Sequence, residues 1–86
     1  MDIHDDLNLE WADIEGQGLV RVFPTTDFKT GFVFTAHIGQ AAERLDYFPE
    51  ILLTANKLTV TIREDVDGRD HQLAHAIDDA LDHASR

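Results

Sequence analysis

The stretch that decides the fold is Ala42-Glu43-Arg44-Leu45-Asp46-Tyr47-Phe48-Pro49-Glu50, followed by Ile51-Leu52-Leu53-Thr54-Ala55-Asn56-Lys57-Leu58-Thr59-Val60-Thr61-Ile62. A helical pattern runs into Pro49. The residue before a proline is pushed out of the α region, so the helix is expected to stop there. Two β-rich runs follow, Ile51 to Ala55 and Leu58 to Ile62, around Asn56-Lys57. In the second run Leu58, Val60 and Ile62 face one way and Thr59, Thr61 and Arg63 the other, the two-residue period of a strand with one wet face. The stretch is a helix end that leads into a hairpin.

The chain before it repeats the plan. Leu7, Leu9 and Trp11 alternate with Asn8, Glu10 and Ala12, as in a half-buried strand. Residues 1–6 are expected to be flexible. Gly16-Gln17-Gly18 signals a turn, and Leu19 to Phe23 reads as the returning strand, closed by Pro24. Asp27 is the best placed N-cap of a helix from Phe28 to Asp46. Its apolar and small residues Phe28, Gly31, Phe32, Thr35, Ile38, Gly39, Ala42 and Leu45 share one face, and Lys29, Gln40, Glu43 and Arg44 the other. A glycine inside a helix costs about 1 kcal/mol relative to alanine, so Gly31 and Gly39 on the inward stripe predict a close approach to a sheet. Glu64 to Gly68 is a polar connection. Asp70 then caps or opens a last helix that buries Leu73, Ala74, Ile77, Leu81 and Ala84.

The order ββαββα predicts a single α+β domain over residues 1–86. It is a two-layer sandwich, with a four-stranded antiparallel sheet, helices on one face and the other face open. A chain of 86 residues buries only roughly 60% of the surface its unfolded form exposes, and an open sheet leaves unpaired edges. A homodimer answers both. Cysteine is absent, so neither disulfides nor thiolate metal sites enter, which fits a reducing cytoplasm. No apolar run reaches the ~20 residues of a membrane span, and the acidic start lacks the pattern of a signal peptide. With a formal net charge of −10 and seven scattered Lys and Arg, the chain has no basic face for nucleic acid or anionic membranes. A protein client with a basic surface fits better, although acidity also keeps a small protein soluble.

His71 and His75 stand four apart on the last helix, in line with Asp78 and Asp82. That spacing can share a metal. The line lies opposite the apolar stripe and has no third ligand, so it reads as a solvated face, and no metal is expected. His37 falls on the outward side of the first helix beside Lys29 and Arg44, and His4 and His83 stand near the termini. Tyr47 and Phe48 differ from these. They occupy a helix end between acidic Asp46 and Glu50, where both cannot easily point inward. They are core aromatics or, together with Asp46 and Glu50, an anchor for a partner.

The quoted stretch resembles the signature of the pterin-4a-carbinolamine dehydratases, whose helix typically ends in Ala-Glu-x-x-x-His-His-Pro-Glu. Ala42-Glu43, Pro49-Glu50 and Asn56-Lys57-Leu58 match it. Trp11 to Gly16, Phe23, Asp27-Phe28, Asp70 and Leu73-Ala74 extend the resemblance over most of the chain. The family's leading helix is missing, and the loop before the last helix is shorter than usual. The resemblance implies a sheet-extending dimer and a pterin pocket at Glu43, Tyr47, Phe48, Pro49, Glu50, Asp65 and Asp70. Active members place histidines at the positions of Tyr47, Phe48 and Asp65. The reaction removes water from a 4a-hydroxy-tetrahydropterin and needs one group to protonate the leaving hydroxyl and one to take a ring proton, work that suits histidine. Phe48 can do neither, Tyr47 is a poor base near neutrality, and Asp65 is a weak one. The resemblance therefore implies a dismantled catalytic site, with neither catalytic residue nor cofactor. In size, acidity and altered histidine positions the chain is similar to a branch encoded with α-carboxysome components, which lacks these histidines and assists Rubisco assembly. That implies a homodimeric assembly factor of the bacterial cytoplasm, associated with the carboxysome, with Rubisco as client. A 4a-hydroxytetrahydrobiopterin dehydratase with atypical residues and a dimeric adaptor for another protein are the alternatives.

Overall fold

The computed structural model describes residues 11–84, with β1 at Ala12–Ile14, β2 at Gly18–Pro24, α1 at Phe28–Leu45, β3 at Glu50–Leu53, β4 at Lys57–Ile62 and α2 at Arg69–Ala84. The expected strand positions Leu7 and Leu9, the flexible start at residues 1–6, His4 and the side chain of Ala84 lie outside the described residues. The four strands form one sheet in the order β1-β2-β4-β3, and every pairing is antiparallel. Strands β2 and β3 therefore run parallel, with β4 inserted between them. Helix α1 packs over β3 and β4, and α2 over β2 and β4. The ββαββα order, the antiparallel sheet and the single helical layer are as the sequence predicts.

The strand period places the core. Leu58, Val60 and Ile62 of β4 are fully buried, as are Ile38 of α1 and Leu73, Ala74 and Ile77 of α2. Leu19 and Phe23 join them from β2, and Trp11 meets the Phe23 ring edge-on at 6.4 Å. Removing a side chain such as Ile38 or Leu58 from such a core costs about 2–5 kcal/mol.

Helix α1 starts as expected. The Asp27 carboxylate accepts the Thr30 backbone N–H at 2.9 Å, a cap that contributes about 1 kcal/mol. Its end differs from expectation. The helix closes at Asp46 in the left-handed conformation (φ 55°, ψ 41°), with the Asp46 N–H bonded back to Ala42 and Glu43 and the Tyr47 N–H to Ala42. This reversal stops the helix before Pro49 acts, and Pro49 only holds the exit extended.

The buried stripe of α1 is also rotated from the expected one. Gly31, Ile38, Ala41 and Ala42 are buried, with Phe34 and Leu45 packed against the core. Phe28 and Phe32 remain 54% and 63% exposed. Contact with α2 draws in the Phe34 and Ala41 side and turns the two phenylalanines out. Gly31 does approach the sheet, since a Cβ there would stand 2.5 Å from Leu53 Cδ1. Gly39 does not, because a Cβ would meet nothing within 4 Å.

Helix α2 begins one residue before Asp70. Asp70 is buried, and its carboxylate accepts the His71 N–H at 2.9 Å. Asp65 Oδ2 instead takes the Arg69 N–H at the helix start, at 3.1 Å. His71 and His75 are exposed as expected, whereas Asp78 is not part of the solvated face. Its Oδ1 accepts the Trp11 indole N–H at 2.8 Å and an Arg21 guanidinium N–H at 2.7 Å. Arg21 enters from β2 and also lies 4.2 Å above the Phe23 ring. Asp78 thus ties the last helix to the first hairpin.

Candidate functional site at the α1–β3 junction

The left-handed turn at Asp46 separates Tyr47 from Phe48. Tyr47 is half-buried against the core, and its hydroxyl donates to the carbonyl of Arg63 at 2.6 Å, with that of Glu64 3.4 Å away. The Arg69 guanidinium stacks 4.8 Å above its ring. Tyr47 thereby staples the end of α1 to the loop between β4 and α2. Phe48 turns outward and is 57% exposed. It lines a shallow hollow of about 210 Å³ with Tyr47, Glu50, Thr61 and Arg63.

The charges around the ring have structural partners. Asp65 accepts from both the Arg69 backbone N–H and Arg69 Nε, the latter at 3.2 Å. The backbone hydrogen bond is the main cause holding its carboxyl below the usual range. The Tyr47 phenol moves the other way, pushed up first by burial and then by the charges of Asp65 and Asp70. A phenol with a raised pKa stays protonated at neutral pH, where it can donate a hydrogen bond but not act as a base. Asp46, Glu43 and Glu50 are exposed and Pro49 is half-buried. Tyr47 stands near the charges of Asp65, Asp70, Arg69 and Arg63, and it shares the hollow with Phe48, Glu50, Thr61 and Arg63. No spacing in the sequence marked Arg69 or the Asp78–Arg21–Trp11 cluster, because both form across elements distant in the chain. Among the described residues no three His, Cys, Asp or Glu side chains come together as a metal site, and no helix is long and apolar enough to cross a membrane.

The lowered Asp65 pKa fixes a sign. A carboxyl more acidic in the folded state adds stability above its unfolded pKa, and that contribution is lost as pH falls through the folded value. The Asp65 cap is therefore expected to weaken below about pH 4, the ordinary aspartate range. Thermal melts from pH 7 to pH 3 should show a smaller acid-induced drop in Asp65→Asn than in the parent chain. Equal drops would mean that Asp65 carries none of the acid sensitivity.

Among the described residues the six elements in ββαββα order have the fold of a pterin-dehydratase-like protein. The profile described as "Pterin 4 alpha carbinolamine dehydratase" matches residues 2–80, and the chain belongs to that family. A protein of Novosphingobium aromaticivorans, provisionally named a pterin-4-alpha-carbinolamine dehydratase, is 35% identical over 84% of this chain and 80% of its own length. A Chlorobaculum tepidum protein with the same provisional name is 38% identical over 60% of this chain, and the match spans only 50% of that relative. A crystal structure described as a transcriptional coactivator/pterin dehydratase from Brucella melitensis superposes with a TM-score of 0.72, at 29% identity over 83% of this chain and 81% of that one.

Proposed function

We propose that the protein is a non-catalytic member of the family that binds a protein client, and that the client is Rubisco during its assembly in the α-carboxysome of a bacterial cytoplasm. The observation that carries the non-catalytic reading is the engagement of Tyr47. Its hydroxyl is committed to the Arg63 carbonyl and its pKa is raised. Asp65 is likewise committed to the start of α2, and Phe48 has no proton to exchange. The altered positions thus serve folding at Tyr47 and Asp65 and leave an apolar surface at Phe48. An excess of acid over base, −10 in all, suits a client with basic residues around an apolar spot. Two measurements test this, the first on the purified protein and the second in cells. Turnover of 4a-hydroxy-tetrahydropterin should be negligible, since each missing acid–base partner costs about 10²–10⁴ in rate. Co-expression with the α-carboxysomal Rubisco subunits should raise the yield of assembled enzyme. Turnover at an ordinary enzymatic rate would establish an atypical dehydratase instead, and unchanged Rubisco yield would leave an adaptor for another client.

The working form in this proposal is a homodimer joined at β3. The Thr54 N–H bonds the Lys57 carbonyl. Alternation from that pair directs the backbone groups of Leu52 and Glu50 toward β4 and those of Ile51 and Leu53 to the free edge. A two-fold axis at Leu52 would set Ile51 opposite Leu53 of the second copy, with Leu52 facing its own copy. Leu52 is 61% exposed, and Phe28 and Phe32 stand on the side of α1 turned away from α2. Leu52→Glu would put like charges directly across that axis. Sedimentation at micromolar concentration should then show a dimer for the parent chain and a monomer for Leu52→Glu. A monomeric parent would refute the assembly.

A further inference from the structure

The geometry points to a two-point site for a divalent transition-metal ion, Cu(II) above all, on the imidazoles of His71 and His75 in α2. The site is independent of the client-binding reading above. Both residues lie within Arg69–Ala84, four positions apart. That spacing puts their side chains on one line with Cβ atoms about 5–6 Å apart, close enough for two imidazoles to meet on one ion. Both residues are exposed, so the ion reaches them directly. Neither ring has a hydrogen bond or ion pair with a described residue; the bond that His71 makes is from its backbone N–H to the Asp70 carboxylate. The other described histidines are placed differently. His83 Nδ1 is engaged with the Asp79 carbonyl oxygen at 2.9 Å, and His37 stands on α1 with no second histidine in its helix.

The fold fixes this spacing before any ion arrives. Leu73, Ala74 and Ile77, on the other side of the same turns, are fully buried. Upstream, Asp65 holds the Arg69 N–H at the helix start. Downstream, Asp78 is tied to Trp11 and Arg21. Chelation therefore has only the two imidazole rotamers left to order. The ligand set then selects the metal. Two neutral imidazoles bind Cu(II) more tightly than Ni(II) or Zn(II), while Mg(II) and Ca(II) take oxygen ligands. Water completes the shell. A closed structural zinc site would need four protein ligands, and no three candidate side chains converge among the described residues. Charge favours the ion's approach. His75 shares a hollow with Asp78, Asp79 and Asp82, on a chain of net charge −10, and such a field concentrates cations. A bound ion clips the first turns of α2 together and stabilises the folded state by mass action.

Titration of the untagged full chain with CuCl2 tests the site. The electron paramagnetic resonance spectrum should show coupling to two imidazole nitrogens, and the melting temperature should rise as Cu(II) is added. His71→Gln and His75→Gln should each weaken the affinity at least about tenfold, since losing even a group behind a metal ligand costs about 10–100-fold, and His83→Gln and His4→Gln should stay within about twofold. His71 and His75 are exposed, and melting curves without metal establish that each variant folds. Zn(II) should bind more weakly than Cu(II), and excess Mg(II) should not displace it. Binding by the folded double variant His71→Gln with His75→Gln equal to that of the parent chain would overturn the inference. So would a spectrum with a single nitrogen, an affinity that follows His4 or His83, or displacement by Mg(II), which would put the ion on the carboxylates.

Discussion

Replacing Gly18 with alanine is expected to leave the domain barely folded. Gly18 opens β2 with φ at 107°, a conformation that side chains avoid. A Cβ there would collide with the Ile62 carbonyl oxygen and stand 3.0 Å from Ile62 C and 3.1 Å from Arg63 Cα. All three are backbone atoms at the end of β4, and none can rotate aside. Relief requires β2 and β4 to separate where the sheet is held by the Leu19–Ile62 pair. Backbone strain of about 1–3 kcal/mol adds to this forced movement, so a total near 4 kcal/mol is expected. Domains of this size hold about 5–15 kcal/mol in all, and short ones lie at the low end. The melting temperature should fall by roughly 15 °C or more, or the transition should disappear. Gly16 supplies the comparison. It also has positive φ, at 84°, but a Cβ would meet nothing within 4 Å. Gly16→Ala should cost only about 1 kcal/mol. A cooperative Gly18→Ala melt within a few degrees of the parent's would show that the strands yield far more easily than this packing allows.

The second large effect is expected at Asp78. One carboxylate oxygen accepts from both Trp11 Nε1 and Arg21 Nη1, with Asp78 and Arg21 side chains 20% and 15% exposed. Asp78→Ala removes the acceptor and leaves the indole N–H and the guanidinium in a mostly dry place. Breaking a buried pair from one side costs about 3–5 kcal/mol; the partial exposure here lowers the expectation to about 2–3 kcal/mol. Urea unfolding of Asp78→Ala and Asp78→Asn should separate charge from hydrogen bonding. Asparagine keeps an acceptor and should recover part of the loss. A midpoint for Asp78→Ala equal to the parent's would show that the cluster contributes nothing net.

The sequence is legible where one local rule acts alone. The alternation of Leu58, Val60 and Ile62 with Thr59 and Thr61 identified a strand with one buried face, and Asp27 announced its helix. Legibility fails where two elements compete for a residue. Phe28 and Phe32 lie on an acceptable apolar stripe, but α2 packs beside Phe34 and Ala41, and the stripe turns to meet it. Asp46 ends α1 by adopting a conformation usual for glycine, so the proline downstream drew attention from the true stop. At the candidate site the unusual residues stood out in the sequence. Their division into a tethered Tyr47 and an outward Phe48 depended on the reversal at Asp46 and on Arg69, neither of which leaves a periodic trace.

The tethers at Trp11 and Tyr47 also make the molecule its own reporter. Each is the single residue of its kind in the chain, and each chromophore is held by a different part of the fold. Trp11 reads the seam between the first hairpin and α2 through Asp78. Tyr47 reads the seam between α1 and the loop entering α2 through Arg63. Indole emission and phenol absorbance can therefore be followed in one denaturation, without labels, as two clocks set at separate seams. Superimposed curves mean that the hairpin and the junction dissolve together. If the junction is instead the part that yields to a client, the tyrosine signal changes on binding while the tryptophan signal stays still.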